Sequence, residues 1–200
     1  NRLRLNLLPL IEAAGAGYHQ HGVHPVPPAE ILEFLAERLR VQLRAEGARH
    51  DVLTAVFAAG SDDDITRLLA RADAVAGLLG SRNGIDLLAA YRRAANILRI
   101  EDRKDGPHTA APNPDLFTEA AELDLNHALN AMQDVDHLLA QEDFAAAMAA
   151  MARLRTPMDA FFEKVTVNAP QPELRRNRLS LLHRMRSAVD RVAAFSRIEG

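Results

Sequence analysis

The residues of this sequence best suited to hold a ligand are arginines, which fall into three basic groups. A guanidinium is planar, always charged and rich in N–H donors, so it can bind a phosphate or stack on an unpaired base. Such groups fit recognition of a single-stranded RNA loop. The groups are Arg38, Arg40, Arg44, Arg49 and His50; Arg92, Arg93, Arg99, Arg103 and Lys104; and Arg175, Arg176, Arg178, Arg184 and Arg186.

The same arginines also have a simpler explanation. Charged residues at helical spacing usually form a solvated face or pair with acids on their own helix, and composition alone favours that interpretation. Rings for base stacking are scarce, because the sequence has no Trp and only 4% aromatic residues. We take Tyr91 and Phe117 as the candidate stacking rings, and we expect phosphate contacts to dominate.

The remaining polar clusters do not predict catalysis. The histidines between residues 18 and 24 could converge on zinc, but they lack a clear carboxylate or Cys partner, so we interpret them as a solvated loop. The acids at 62–64 precede an apolar periodic run and are predicted helix caps. Asp134, Asp136 and His137 indicate a solvated acidic face. No phosphate loop, metalloprotease or nucleophile motif is present, so we predict no catalytic, metal or cofactor site in this chain.

Apolar residues recur at helical spacing along nearly the whole chain, which predicts an all-α fold, an antiparallel helical bundle. The first helix is expected to end at the glycines at 15 and 17, and Pro28 and Gly47 are expected to bound the second. In the second helix, the predicted buried face consists of Ile31, Leu32, Leu35, Leu39 and Leu43. The predicted helices cover residues 1–14, 28–46, 51–59, 62–79, 85–103, 115–139, 144–154, 158–165 and 173–195.

The charges are unevenly distributed along the sequence, although the formal net charge is only -3. Residues 107–150 contain eight acids and no Lys or Arg, whereas residues 151–200 contain ten basic residues and five acids. A chain of this net charge can bind a polyanion only if its charges are separated in space. We therefore expect the acidic helix at 115–139 to point away from any bound RNA.

Cysteine is absent and no apolar stretch approaches the ~20 residues of a membrane span, which fits a cytoplasmic protein rather than a secreted or membrane-bound one. The chain opens at Asn1 inside an amphipathic segment, which indicates a piece of a longer protein. We predict that residues 1–25 are the tail of a preceding helical domain with a linker. Residues 26–200 are then one helical domain.

Five stretches, in this order, resemble the C-terminal region of the bacterial-type glycyl-tRNA synthetase β subunit. They are residues 34–41 (FLAERLRV), 49–53 (RHDVL), 87–98 (LLAAYRRAANIL), 157–165 (PMDAFFEKV) and 177–198, which opens with NRL and closes with FSRI. The resemblance covers nearly the whole chain. It implies a helical anticodon-binding domain similar to that of arginyl-tRNA synthetase.

The resemblance further implies a role in ATP- and magnesium-dependent joining of glycine to tRNA(Gly) by an α2β2 enzyme. The adenylate-forming site of that family belongs to the α subunit, so this fragment is expected to be non-catalytic. The implied partners are tRNA(Gly) and the α subunit, with no role for DNA or a membrane. Our candidate tRNA-binding residues rest on charge and helix face, not on the resemblance. They are Arg38, Arg40, Arg44, Arg92, Arg93, Arg99, Arg103, Lys104, Arg175, Arg176, Arg178 and Arg184.

Two other functions remain open from the sequence. A helical protein-interaction module without RNA binding would suit the acidic middle of the chain. A stand-alone helical enzyme would need a pocket with convergent titratable groups, which the sequence does not reveal. Salt-dependent RNA binding separates the first of these from a tRNA-binding domain.

Overall fold

The computed structural model describes residues 3–19, 24–59 and 62–199, and every regular element in those ranges is helical. The predicted all-α class is therefore confirmed. The α-helices are α1 (Leu7–His19), α2 (Pro28–Ala45), α3 (His50–Ala58), α4 (Ile65–Leu79), α5 (Arg82–Asp105), α6 (Ala120–Asn130), α7 (Val135–Ala140), α8 (Phe144–Arg153), α9 (Arg155–Lys164) and α10 (Pro172–Asp190). Short 3-10 turns lie at Pro114–Leu116, Ala131–Asp134 and Phe195–Arg197.

Side-chain caps fix several helix starts. The Asp64 carboxylate accepts the backbone N–H of Arg67 at 3.1 Å and so caps α4, and the Asp62 carboxylate accepts the backbone N–H of Asp64 at 3.1 Å. The capping role predicted for these acids is confirmed for Asp64, whereas the Asp63 carboxylate accepts the backbone N–H of Leu8 at 2.8 Å. The Asp143 carboxylate caps α8 in the same way, through the backbone N–H of Ala146 at 3.0 Å.

The turn from α4 to α5 depends on a glycine. Ser81 caps α5 by accepting the backbone N–H of Gly84 at 3.1 Å. A Cβ at Gly84 would lie 2.0 Å from the backbone oxygen of Leu78, so only glycine allows this approach. The tight turn sets the first turn of α5 directly against the end of α4.

Several predicted helices have different bounds in the structure; the last, predicted at 173–195, ends at Asp190. The helix predicted at 1–14 begins only at Leu7 and continues through Gly15 to His19. The segment that follows the helix packs beside Gly15, with Pro25 Cγ 3.4 Å from where a Cβ would stand. The glycines at 15 and 17 therefore do not end the helix.

The acidic helix predicted at 115–139 is also wrong as one element. It is divided into a 3-10 turn, α6, a second 3-10 turn and α7. In one continuous α-helix from Leu125, position 136 would reach the buried face after three turns. The tighter 3-10 turn places Val135 in the core instead and leaves Asp136 exposed.

The antiparallel pair α5 and α10 lies at the centre of the bundle. The Tyr91 hydroxyl, on a ring that is 1% exposed, donates to Asp190 Oδ1 at 2.8 Å, and at the other end of the pair Arg175 binds Glu101. Burial and the neighbouring Asp190 raise the pKa of Tyr91, so the hydroxyl stays protonated as the donor. The C-terminal segment closes over this pair, with the ring of Phe195 5.6 Å from that of Tyr91.

The helix α2 is packed much less closely than the bundle. Its start at Pro28 is as predicted, and it ends at Ala45 before Gly47, which has a φ of +91°. No residue of α2 is buried, although it contacts α1 and α3. Its predicted buried face is therefore at most half-buried, and Phe34 is 59% exposed. No helix among the described residues is long and apolar enough to cross a membrane.

Candidate nucleic-acid interface

The second half of α5 separates its charges by face. Successive residues of an α-helix are turned by about 100°, which places the buried residues Tyr91, Ala94, Leu98 and Glu101 on one side. The charged residues on the opposite, outward side are all basic. They are Arg93, Arg99, Arg103 and Lys104, which are exposed, and Arg92, which is half-buried.

The acids of this helix half are paired with basic groups of the protein, although Asp105 itself is exposed. Glu101 binds Lys104 Nζ at 2.8 Å and also the guanidinium of Arg175. These two bonds lower the pKa of Glu101 to about 2, so it is ionised at neutral pH. Asp105 binds Arg175 as well, and Asp102 Oδ1 lies 2.8 Å from His108 Nδ1. The field that α5 presents to solvent is therefore set by its arginines.

The second and third basic groups meet at one end of the bundle. Because α5 and α10 are antiparallel, the contact of Arg175 with Glu101 places the start of α10 beside the last turns of α5. Within the described part of the chain, no hydrogen bond or ion pair engages Arg103 or Arg176, and both are exposed. Arg99 is also exposed and donates only to Asn96 Oδ1, at 2.6 Å.

Arg178 differs from the other candidates because it is a core residue. Its side chain is buried, and its Nε donates to Glu122 Oε1 at 2.9 Å. The other guanidinium nitrogens bind the Thr166 carbonyl and the Thr118 hydroxyl. Burial alone would raise the pKa of Glu122, but Arg178 and two backbone N–H groups outweigh it and keep that pKa below its usual value. Arg178 therefore holds α10 to α6 and is not available to RNA.

Arg184 is half-buried and, like Arg178, joins α10 to α6. It donates to Asn126 Oδ1 and Asn130 Oδ1, each at 2.5 Å. With Arg175 tied to Glu101 and Asp105, Arg176 is the α10 candidate that has no side-chain partner among the described residues. The helical spacing that put these arginines in one predicted group thus places them in three different environments.

A groove of about 450 Å³ lies between α5 and α9. Over it, the Arg93 guanidinium carbon stands 4.5 Å from the centre of the Phe162 ring. Across the groove, Arg155 Nε lies 3.0 Å from Asp86 and 3.2 Å from Asp159. By contrast, Arg92 is half-buried and donates to the Ile198 carbonyl at 2.8 Å, which ties α5 to the C-terminal segment.

The predicted stacking rings are not available to an RNA base. Tyr91 lies in the core, and Phe117 is half-buried and packs against the core. The ring beside the basic face is Phe162, which the sequence prediction missed. The signal was the pair Phe161–Phe162, because adjacent helical residues point about 100° apart and cannot both face the core. Phe161 is fully buried, which turns Phe162 to the groove.

The first basic group lies on α2, apart from the pair formed by α5 and α10. Arg38 stands over the Phe34 ring at 5.4 Å, and Arg40 over the Phe57 ring at 5.6 Å. Arg44 lines a small hollow between α2 and α3. Arg49 is paired with Asp51 at 2.6 Å and does not add a free charge.

No group of three or more His, Asp or Glu side chains placed to hold a metal ion is found in residues 3–19, 24–59 and 62–199. The histidine cluster at 18–24 falls partly outside the described residues, since residues 20–23 and the side chain of His19 are among the undescribed parts.

Three relatives show how far the similarity extends. The chain is 49% identical over 203 residues to a protein of Rhodospirillum centenum named glycine–tRNA ligase beta subunit, covering 100% of this chain and 28% of that protein. Proteins of the same name from Phenylobacterium zucineum and Cereibacter sphaeroides are 45% and 46% identical, over 86% of this chain and 26% and 25% of their own length. The chain thus spans about a quarter of the length of these relatives.

The family comparison covers the helices that carry the candidate interface. Residues 87–193 match the DALR anticodon binding domain, a segment that runs from α5 through α10 and leaves out α1 to α4. It contains the outward face of α5, most of the groove beside α9 and the start of α10, while Arg82 and Asp86 of the groove precede it. By this match over more than half of its length, the chain belongs to the DALR anticodon binding domain family.

Proposed function

We propose that this chain binds the anticodon region of tRNA(Gly) as the C-terminal part of a glycine–tRNA ligase β subunit. The observation that carries the proposal is the all-basic outward face of α5, which lies within the segment matched to the anticodon-binding family. Arg99, Arg103 and Arg176 contact the phosphates, because they are exposed and retain free donors. Lys104 adds a charge at the same end, although it is partly used by Glu101.

Binding relies on the separation of charge within the chain. A polyanion gains free energy from each phosphate that an arginine neutralises, mainly through release of its counterions. The acids of the second half of α5 are paired with basic groups of the protein, so they repel a polyanion less than their number suggests. Arg38, Arg40 and Arg44 on α2 add a weaker, long-range attraction from outside the family segment.

The chain acts within a larger enzyme in this proposal. The names of its relatives support glycine–tRNA ligase as that enzyme, which couples ATP and magnesium to glycylation of tRNA(Gly). Catalysis belongs to a separate α subunit of an α2β2 assembly in the cytoplasm, and this chain holds the tRNA. Residues 26–200 form the tRNA-binding domain, and residues 1–25 belong to the domain that precedes it.

The test removes two free arginines from the full-length β subunit in its assembly with the α subunit. We expect Arg99→Gln with Arg103→Gln to weaken tRNA(Gly) binding by roughly three- to tenfold. The slope of log affinity against log salt should also flatten by roughly 1.4 to 1.8. A filter-binding titration at several salt concentrations measures both quantities.

The control removes the same charge elsewhere on the surface. Arg153→Gln with Arg197→Gln affects two exposed arginines on α8 and in the C-terminal segment. This variant should keep both the affinity and the salt slope close to those of the parent. If the two double variants bind tRNA(Gly) equally well, the outward face of α5 is not the binding surface.

A second candidate function is a protein-interaction module without RNA binding. It is favoured by apolar side chains that α1 and α2 leave exposed, among them Leu10, Phe34 and Val41. The same titration separates the two functions, since a pure protein-interaction module gives no salt-dependent affinity for tRNA in the parent chain.

A further inference from the structure

The pair Arg93 and Phe162 is unlike the other arginine contacts of the family segment. Arg93 is exposed, and its contact is with the Phe162 ring, 4.5 Å from the guanidinium carbon. No hydrogen bond or ion pair among the described residues uses its N–H groups. The contact with the ring positions the guanidinium and leaves its N–H donors unused.

The charge of the surrounding groove argues against a phosphate as its ligand. Three arginines line it, Arg82, Arg93 and Arg155, and three acids line it as well. Two of these acids, Asp86 and Asp159, are bound to Arg155. With equal numbers of opposite charges, the groove offers a phosphate little net attraction. A neutral ligand with a flat face and polar edges does not need a net positive charge to bind there.

The size and walls of the groove fit such a ligand. Its volume of about 450 Å³ lies in the range of small-molecule sites, and Ala89 and Ala90 leave room between α5 and α9. The phosphate-binding arginines proposed above, Arg99 and Arg103, follow on the same helix within about three turns. A nucleotide chain held by those arginines can therefore place one of its bases in the groove.

We propose that the groove between α5 and α9 binds one unpaired nucleobase of the tRNA anticodon loop, stacked on the guanidinium of Arg93. Phe162 is the positioning residue, because it supports Arg93 from the other side. This inference rests on the proposed tRNA function and adds a base-stacking site to it. Stacking on a planar group accepts any base, while the polar groove walls face the edge of the base.

Lysine replacement separates stacking from simple charge. Arg93→Lys keeps the positive charge but removes the planar group, so this variant could still attract a phosphate but could no longer stack on a base. We expect it to weaken tRNA(Gly) binding roughly five- to tenfold, at the lower end of the range for loss of a stacked base. Arg153→Lys, at an exposed arginine outside the groove, is the matched control and should bind like the parent.

A loop scan identifies the base itself. The parent, Arg93→Lys and Phe162→Leu forms of the full-length β subunit, assembled with the α subunit, are titrated with tRNA(Gly) transcripts that each carry one abasic anticodon-loop position. We expect one position at which the abasic site weakens binding of the parent roughly tenfold. At that position the loss of affinity caused by the abasic site should disappear in Arg93→Lys and Phe162→Leu. Losses of affinity at the other abasic positions should persist in both variants. Phe162→Leu keeps an apolar side chain against the bundle, which protects folding.

The outcomes separate this inference from the function on which it rests. If the parent and both variants show the same abasic pattern, the stacking site is wrong, even where Arg99→Gln with Arg103→Gln still weakens binding. If neither that double variant nor the groove variants alter binding, both proposals are wrong. Equal binding by Arg93→Lys and the parent would also overturn the stacking site, because charge alone would then suffice.

Discussion

The hairpin of α1 and α2 and the bundle of α5 to α10 bury their apolar side chains to very different extents. In the bundle, α5 and α10 bury leucines, a methionine and a tyrosine, and Phe161 of α9 is fully buried. In the hairpin, α2 buries no residue at all, and its largest ring, Phe34, is 59% exposed. The helix α2 and the bundle helices α5 and α10 nevertheless all have clear helical periodicity in the sequence.

The difference shows that periodicity predicts the helix but not how completely its apolar face is covered. An apolar stripe is a requirement for packing, and the degree of burial depends on which elements cover it. The family segment at 87–193 contains its own covering helices, whereas α2 packs mainly on α1 and α3. The two regions should therefore respond differently to the same substitution.

The largest expected difference is in stability after loss of a phenylalanine ring. Phe161→Ala should lower the free energy of unfolding by about 3–5 kcal/mol, because it removes a fully buried ring and leaves a cavity. Phe34→Ala is the matched control on α2 and should change it by less than about 0.5 kcal/mol. Urea denaturation followed by circular dichroism measures both. Similar losses in the two variants would mean that the hairpin is as tightly packed as the bundle.

The second prediction compares ion pairs in the two regions. Glu122→Gln should cost about 3 kcal/mol, because it leaves the buried guanidinium of Arg178 without its counter-charge. Glu37→Gln removes the partner of Arg40 from the exposed surface of α2 and should cost at most about 0.5 kcal/mol. The same urea titration applies. A small effect of Glu122→Gln would show that water reaches Arg178 in the folded protein.

Much of the helical fold could be predicted from the sequence because local signals mark helix ends. Asp64 caps α4 as expected, and Pro28 begins α2. The breaks at Ala131–Asp134 and the continuation of α1 through Gly15 could not be predicted, because both depend on neighbours in space. The first serves to bury Val135, and the second lies beside Pro25 of the following segment.

The candidate interface could be predicted only in part, for a related reason. Charge and spacing identify arginines, but they do not distinguish an arginine that meets water from one that meets an acid of another helix. Arg103 and Arg178 look alike in the sequence, yet one is free and the other is bound to Glu122. The groove formed by Phe162 and Arg93 combines α9 with α5 and has no local sequence pattern.

The third prediction concerns acid stability within the bundle. The pKa of Glu101 is lowered to about 2 by Lys104 and Arg175, against about 4.3 in an unfolded chain. The stabilisation by Glu101 is therefore complete above pH 4.3 and is lost as the pH falls towards 2. The gap in urea midpoint between the parent and Glu101→Gln should narrow by about half between pH 6 and pH 3. The exposed α2 variant Glu33→Gln should show no such narrowing, and a constant gap for Glu101→Gln would contradict the internal ion pairs.

The smallest expected effect tests whether the hairpin takes part in tRNA binding. Arg38→Gln with Arg44→Gln removes two charges from α2, outside the segment matched to the anticodon-binding family. Exposed charges beyond about 8–10 Å from a phosphate are largely screened at physiological salt, so affinity for tRNA(Gly) should fall less than about twofold. The same change on α5, in Arg99 and Arg103, should lower the affinity for tRNA(Gly) roughly three- to tenfold and flatten the slope of log affinity against log salt. At low salt, where screening weakens, the α2 variant should lose more affinity for tRNA(Gly) than at physiological salt, because a long-range attraction is screened by salt. A loss equal to that of the α5 variant, with an equally flattened slope, would place α2 in direct contact with the RNA and extend the binding surface beyond the bundle.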